Sequence, residues 1–136
     1  MPKYAARSDA NQQEIKFIVH GVVVPKQSTR IRIDQWGRVR TYPSKRVKDW
    51  QSTVCVYATL ELINHVDFVM FECPVKAEYK FYLPDRRHRD LDNCAKGISD
   101  ALEGVLFKND IQIEELHLYK YVDKENPRVE VVIGRI

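Results

Sequence analysis

Residues Pro84 to Ile113 read PDRRHRDLDNCAKGISDALEGVLFKNDIQI, and this stretch decides how the rest of the chain is organised. An arginine-rich run ends at Arg89. After it, apolar residues fall at Leu91, Ala95, Ile98, Ala101, Leu102 and Val105. Steps of three and four place them on one stripe of a helix. Asp90, Asp92 and Asn93 stand where short polar side chains cap the first free N–H groups, and Gly104 supplies the stop. On the opposite face Asp92, Lys96 and Asp100 recur every fourth residue, so the lysine lies between two carboxylates.

After a short connection, Asp110 precedes Ile111 and Ile113, whose alternation with Gln112 predicts the start of a strand. A chain returning in this way folds Asp110 back towards Asp90. The predicted constellation is Asp90, Asp92 and Asp110, with Asp100 a further acidic candidate down the helix and Lys96 its sole cation. Carboxylates about 4 Å apart repel by roughly 4 kcal/mol at an effective dielectric of about 20, a cost that a divalent cation reverses. Oxygen donors without His or Cys suit Mg2+, with Mn2+ as a substitute, better than zinc. An Asp-x-Asp-Asn run is also what a plain helix cap looks like. A calcium loop does not fit, because counting from Asp90 the sixth position is Ala95 rather than Gly and the twelfth is Ala101 rather than Glu.

Pro84-Asp85-Arg86-Arg87, Arg89-Asp90-Leu91-Asp92-Asn93, Lys96, Asp100-Ala101-Leu102 and Asn109-Asp110-Ile111-Gln112 together resemble the signature of the RusA-type Holliday-junction resolvases, in order and in spacing. Gly21, Pro25-Lys26 and Thr41-Tyr42-Pro43-Ser44 extend the likeness more weakly into the N-terminal half. The resemblance implies that Asp90, Asp92 and Asp110 bind magnesium and that Lys96 assists phosphodiester cleavage. The chain departs from the family pattern at Asn109, where members often carry Asp, and at His88, where a basic residue is frequent.

The 136 residues suffice for one domain with a sizeable core. No apolar run approaches the roughly 20 residues of a membrane span, and the first residues lack the apolar segment of a secretory signal, so a cytoplasmic location is expected. Cys55, Cys73 and Cys94 lack Cys-x-x-Cys spacing and read as reduced thiols, with Cys94 a small buried hydrophobe. The net charge is only +3, but Lys26, Arg30, Arg32, Arg38, Arg40, Lys45, Arg46 and Lys48 are opposed in their stretch by Asp34 alone. Beside a hard-metal site, such a run points to a phosphate backbone; by itself it is a solvated face. Arg86, Arg87 and Arg89 would line the approach to the site and grip phosphate oxygens.

In chain order, residues 1–13 read as a mobile tail and 14–136 as a single RusA-like endonuclease domain. A first strand runs from Ile15 to Val24, bending at Gly21. A hairpin with one basic face turns at Gln35-Trp36-Gly37; Trp36 reads as a turn-packing aromatic, with a DNA-stacking wedge as the alternative. Ser44 caps a helix running to about Ile63, Pro74 to Leu83 forms a strand that delivers the chain to the site, and the apolar phase flip between Ile113 and Leu116 predicts a bulge near Glu114-Glu115. Val129, Val131 and Ile133 form a closing strand. The expected fold is α+β, a mixed β-sheet with two main helices packed on one face.

The expected function is a magnesium-dependent endodeoxyribonuclease that resolves four-way DNA junctions in recombination and repair, as a homodimer and without an organic cofactor or a membrane. A nuclease acting on flaps or other branched DNA is the rival of similar chemistry. A junction-binding protein that does not cut is the rival of another class.

Overall fold

Period-two alternation at Ile15, Phe17 and Val19, at Val75, Ala77, Tyr79 and Phe81, and at Val129, Val131 and Ile133 builds one buried sheet face. The computed structural model describes residues 14–26 and 29–136, without the side chains of Thr29, Arg30, Thr41 and Pro43. The elements are β1 (Ile15–His20), β2 (Thr29–Ile33), β3 (Val39–Pro43), α1 (Lys45–Leu62), β4 (Val75–Leu83), α2 (Leu91–Leu102), a turn of 3-10 helix (Asp110–Gln112), β5 (Ile113–Val122) and β6 (Arg128–Arg135). The expected tail, residues 1–13, lies outside the described residues.

The main sheet has the order β1-β6-β4-β5, and β2-β3 make a sheet of their own. β6 is antiparallel to both of its neighbours, whereas β4 and β5 run parallel, joined by α2. The sheet is therefore mixed, as expected. The predicted bulge is present: Val75 pairs with Ile113 and Lys76 with Glu115, leaving Glu114 as the extra residue.

Both helices bury their apolar stripes in the same core as this sheet face, α1 through Val47, Trp50, Val54 and Ala58, and α2 through Cys94, Ala95, Ile98, Ala101 and Leu102. Ser44 accepts the N–H of Val47 as the cap of α1. The helices are tied together by Gln51, which donates to the Gly97 carbonyl at 3.4 Å, and by the Cys55 thiol, 2.9 Å from the Ala101 carbonyl. The segment after β1 packs on α2 at Gly97, where a Cβ would stand at an ordinary contact distance of 3.6 Å from the Val24 carbonyl oxygen. The Lys26 N–H donates to the Asn93 carbonyl at 3.1 Å, fixing Lys26 against α2.

Two expected boundaries move. The first strand stops at His20, because Gly21 adopts a left-handed φ of +123° and sends its N–H to the Pro127 carbonyl; Val23 and Val24 are buried without strand pairing. The strand predicted from Ile111 begins only at Ile113. Before it, Asn109 accepts the N–H of Ile111 while Gln112 accepts the N–H of Asn109, and these caps wind residues 110–112 into a 3-10 turn. Gln112 also donates to the carbonyls of Phe71 and Cys73, which anchors the turn to the segment leading into β4.

Candidate functional site

The N-terminus of α2 is built by Asp90. Its extended backbone (φ −73°, ψ 113°) lets Oδ1 accept the N–H groups of Asp92 at 2.9 Å and Asn93 at 3.3 Å. From that start the helical repeat carries Asp92, Lys96 and Ser99 to one open pocket of about 320 Å³, where they meet Asp110, with Ala95, Ile113 and Leu116 as its apolar walls. Three of the residues expected in the site, Asp92, Lys96 and Asp110, thus share a pocket. Asp90 is not among those that line it.

A second grouping overlaps the first through Asp110. Carboxylate oxygens of Asp100, Glu103 and Asp110 lie within 4.8 Å of one another. Glu103 was absent from the predicted constellation. It caps the C-terminal end of α2 in extended conformation, Gly104 follows with φ +81°, and the returning loop is pinned where the Gly104 N–H donates to the Phe107 carbonyl at 2.7 Å. Glu103 Oε1 then accepts the backbone N–H of Asp110 at 3.0 Å. The N-cap side chain of Asn109 is occupied in holding the 3-10 turn.

Lys96 is not the sole cation here, contrary to expectation. Lys26 donates to Oδ2 of Asp100 while the ammonium of Lys96 lies 3.8 Å from Oδ1. Lys26 comes from the segment after β1, held against α2 by the bond from its N–H to the Asn93 carbonyl. The cluster offers carboxylate oxygens with two ammonium groups at its rim and neither His nor Cys, a donor set suited to a hard divalent ion.

Behind the pocket, Tyr79 of β4 and Ser99 share a buried hydroxyl–hydroxyl hydrogen bond of 2.8 Å. Burial holds the Tyr79 phenol well above its ordinary pKa; nearby Asp110 and Asp100 push the same way, against the Ser99 hydrogen bond. Tyr79 therefore stays neutral. Burial also pushes the Cys94 thiol up to about 11, in keeping with its reading as a small hydrophobe.

The arginines of the approach divide. Asp85 accepts from Arg89 at 2.8 Å and from Arg87 at 3.3 Å, contacts that hold its pKa down to about 2, and the Arg89 side chain is only 13% exposed. Arg86 and Arg87 are exposed and border a second pocket with Lys120 and Tyr121. On the hairpin, Arg32, Arg38 and Arg40 are exposed, as are Lys45, Arg46 and Lys48 on α1; the Arg30 side chain lies outside the described residues. Asp34 pairs with Arg38 at 3.4 Å and Arg40 at 3.2 Å. Trp36 does not pack into the turn as expected: it is 69% exposed, with the Arg38 guanidinium 5.3 Å from its ring centre.

The comparisons with known proteins cover both the site and its scaffold. The family model described as Endodeoxyribonuclease RusA matches residues 22–134. A crossover junction endodeoxyribonuclease RusA of Aquifex aeolicus (strain VF5) is 31% identical over 126 residues, spanning 91% of this chain and 94% of that protein. The protein of the same name from Shigella sonnei (strain Ss046) is 28% identical over 115 residues, 84% of this chain and 92% of its own. An uncharacterized protein YqaN of Bacillus subtilis (strain 168) is 27% identical over 143 residues, 90% of this chain and 96% of its own. Since the match runs from just beyond β1 into β6 and takes in every acidic residue of the pocket, the chain belongs to the endodeoxyribonuclease RusA family.

Proposed function

We propose that this protein is a magnesium-dependent endodeoxyribonuclease that resolves Holliday junctions by phosphodiester hydrolysis in recombination and repair, with residues 14–136 acting as one domain. The observation that carries the reading is the convergence of Asp92, Lys96 and Asp110 on one open pocket within the stretch matched to the family. Asp92 and Asp110, with Asp90 at the head of the same helix, would hold the ion; Asp100 and Glu103 add negative charge behind Asp110. Such an ion supplies Lewis-acid stabilisation of phosphoryl charge and activation of water. Mn2+ would substitute.

Lys96 is half exposed and reaches the pocket while Asp100 holds its ammonium from one side. Its charge is thereby aimed at the space a scissile phosphate would occupy, where it stabilises charge developing in the transition state. Lys26 shares the load on Asp100, so Lys96 is not consumed in neutralising it. Tyr79 and Ser99, neutral and bonded to each other, close the inner wall.

Phosphate contacts fall to the exposed Arg32, Arg38, Arg40, Lys45, Arg46, Arg86 and Arg87, together with Arg30 of the same hairpin. Arg89, buried against Asp85, shapes the loop and contacts DNA only indirectly. Symmetric incision of a four-way junction needs two sites on one body, which favours a two-fold homodimer. A monomer in sedimentation, with and without junction DNA, would remove that part of the reading.

The test is cleavage of synthetic four-way, flap and duplex DNA in magnesium and in chelator. We expect metal-dependent paired incision of the four-way substrate above the others. Preferred cutting of flaps would make it a different branch nuclease, and tight junction binding without cleavage in any divalent ion would make it a binding protein.

A further inference from the structure

The tip of the β2–β3 hairpin is a built feature outside the acidic pocket. Asp34 Oδ1 accepts the backbone N–H groups of Trp36 and Arg38, both at 2.9 Å, and the Asp34 N–H donates to the Arg38 carbonyl at 2.9 Å. Gly37, at φ +78°, completes the turn. This rigid frame offers an indole to solvent with a guanidinium over its ring, an arrangement that costs little entropy to use because it is already formed. Behind the tip the strands alternate. Arg32 and Arg40 are paired across one face, whereas Ile33 and Val39 are paired across the other, and with Ile31 they are exposed by 65–71%.

A partner for this element must offer negative charge to the arginines and flat apolar surface to Trp36 and its apolar neighbours. Intact duplex offers the charge but keeps its bases stacked inside. An acidic protein surface sets scattered carboxylates among its exposed rings, without the dense row of charge that a phosphate backbone brings. A DNA branch point offers both, since bases at the crossover lose stacking partners beside a dense phosphate backbone.

We propose that Trp36 stacks on an unpaired or unstacked base at a DNA branch point, making the hairpin tip the element that distinguishes branched from linear DNA. This rests on the reading of the protein as a junction nuclease. Asp34 is its positioning residue, holding the turn that aims the indole.

The experiment uses the full chain in calcium or chelator, with four-way DNA carrying 2-aminopurine beside the crossover and a linear duplex of the same length. Wild type should change the 2-aminopurine emission. Trp36→Ala should abolish that change and weaken four-way binding about tenfold, with duplex binding changed less than about twofold. Trp36→Phe should keep most of the signal. Because Trp36 is exposed, the variants should melt with wild type, so a lost signal is not lost folding. Trp36→Ala with unchanged junction affinity and emission overturns the proposal while leaving wild-type cleavage, and hence the junction reading, standing. Equal losses on duplex and junction would make Trp36 a general DNA contact, and a shift in oligomeric state without DNA would make it a protein–protein contact; either overturns it. If wild type neither binds nor cuts the junction, the functional reading falls and this inference with it.

Discussion

Glu103 reaches past the end of α2 to accept the backbone N–H of Asp110 at 3.0 Å, so a residue outside the predicted constellation sets where one of its carboxylates stands. If this bond is what matters, the neutral isostere should preserve it. Glu103→Gln is expected to cleave junctions within a few-fold of wild type, whereas Glu103→Ala should lose about tenfold or more in activity or magnesium affinity. Equal losses in both, read by magnesium titration beside cleavage rates, would show that Glu103 supplies its charge rather than its hydrogen bond.

Asp92 is exposed and accepts no capping bond, so its charge should matter more to the site than to the fold. In chelator Asp92→Asn should melt close to wild type: losing a carboxylate from the first turn costs about 0.3–1 kcal/mol, while repulsion in the acidic pocket is relieved. Wild type should gain about 2.7 kcal/mol from magnesium at a hundredfold excess over its dissociation constant, and the variant less. Cleavage should fall about a hundredfold or more, because Lewis-acid assistance is worth several kcal/mol. A variant that melts far lower in chelator yet still cuts DNA would make Asp92 structural.

The Tyr79–Ser99 pair predicts a non-additive result. Tyr79→Phe strands the Ser99 hydroxyl, and Ser99→Ala strands the phenol, each at about 1–3 kcal/mol. The double variant removes both partners together and should cost less than the sum, with a coupling of about 0.5–3 kcal/mol in urea unfolding. Simple additivity would mean that water already satisfies one hydroxyl.

Asp85 gives a pH dependence of definite sign. Arg89, then the Arg87 N–H, lower its pKa in the folded protein to about 2 from the ordinary 3.8, so the stability it contributes is full above about pH 4 and is lost as pH falls through about 2. Asp85→Asn should therefore be less stable than wild type at pH 6, with the gap narrowing below pH 4 and closing near pH 2. Urea unfolding across that range checks it; a gap that persists at pH 2 would assign the loss to shape rather than charge.

The legible parts of the site were those set by local repeat. Spacing along α2 placed Asp92, Lys96 and Asp100 on one face, and the phase flip after Ile113 located the bulge at Glu114. Glu103 was hidden because it stands beyond the last helical turn, where its direction depends on an extended C-cap and on Gly104. Lys26 was hidden for a different reason: it reaches Asp100 because the segment after β1 packs on α2, where the Lys26 N–H meets the Asn93 carbonyl, a tertiary contact without local signature. Strand composition was readable, but the insertion of β6 between β1 and β4 rests on pairings such as Ile15 with Ile133, far apart in the chain. The 3-10 turn at Asp110 was missed because alternation at Ile111 and Ile113 imitated a strand while the Asn109 and Gln112 side chains wound the backbone instead.

The central position of β6 has a consequence for biosynthesis. Translation emits the chain from its N-terminus at about 5–20 residues per second, so β1, both helices and the whole acidic pocket leave the ribosome before the strand that joins β1 to β4. Until β6 emerges, the buried faces of β1 and β4 lack their common neighbour, and the platform beneath the carboxylates cannot close. A chain truncated after Pro127 should accordingly be protease-sensitive and inactive, and one that extends through Arg135 resistant. Because β6 follows the other strands of the main sheet in sequence yet lies between β1 and β4, any activity that depends on the closed sheet waits until β6 has been made.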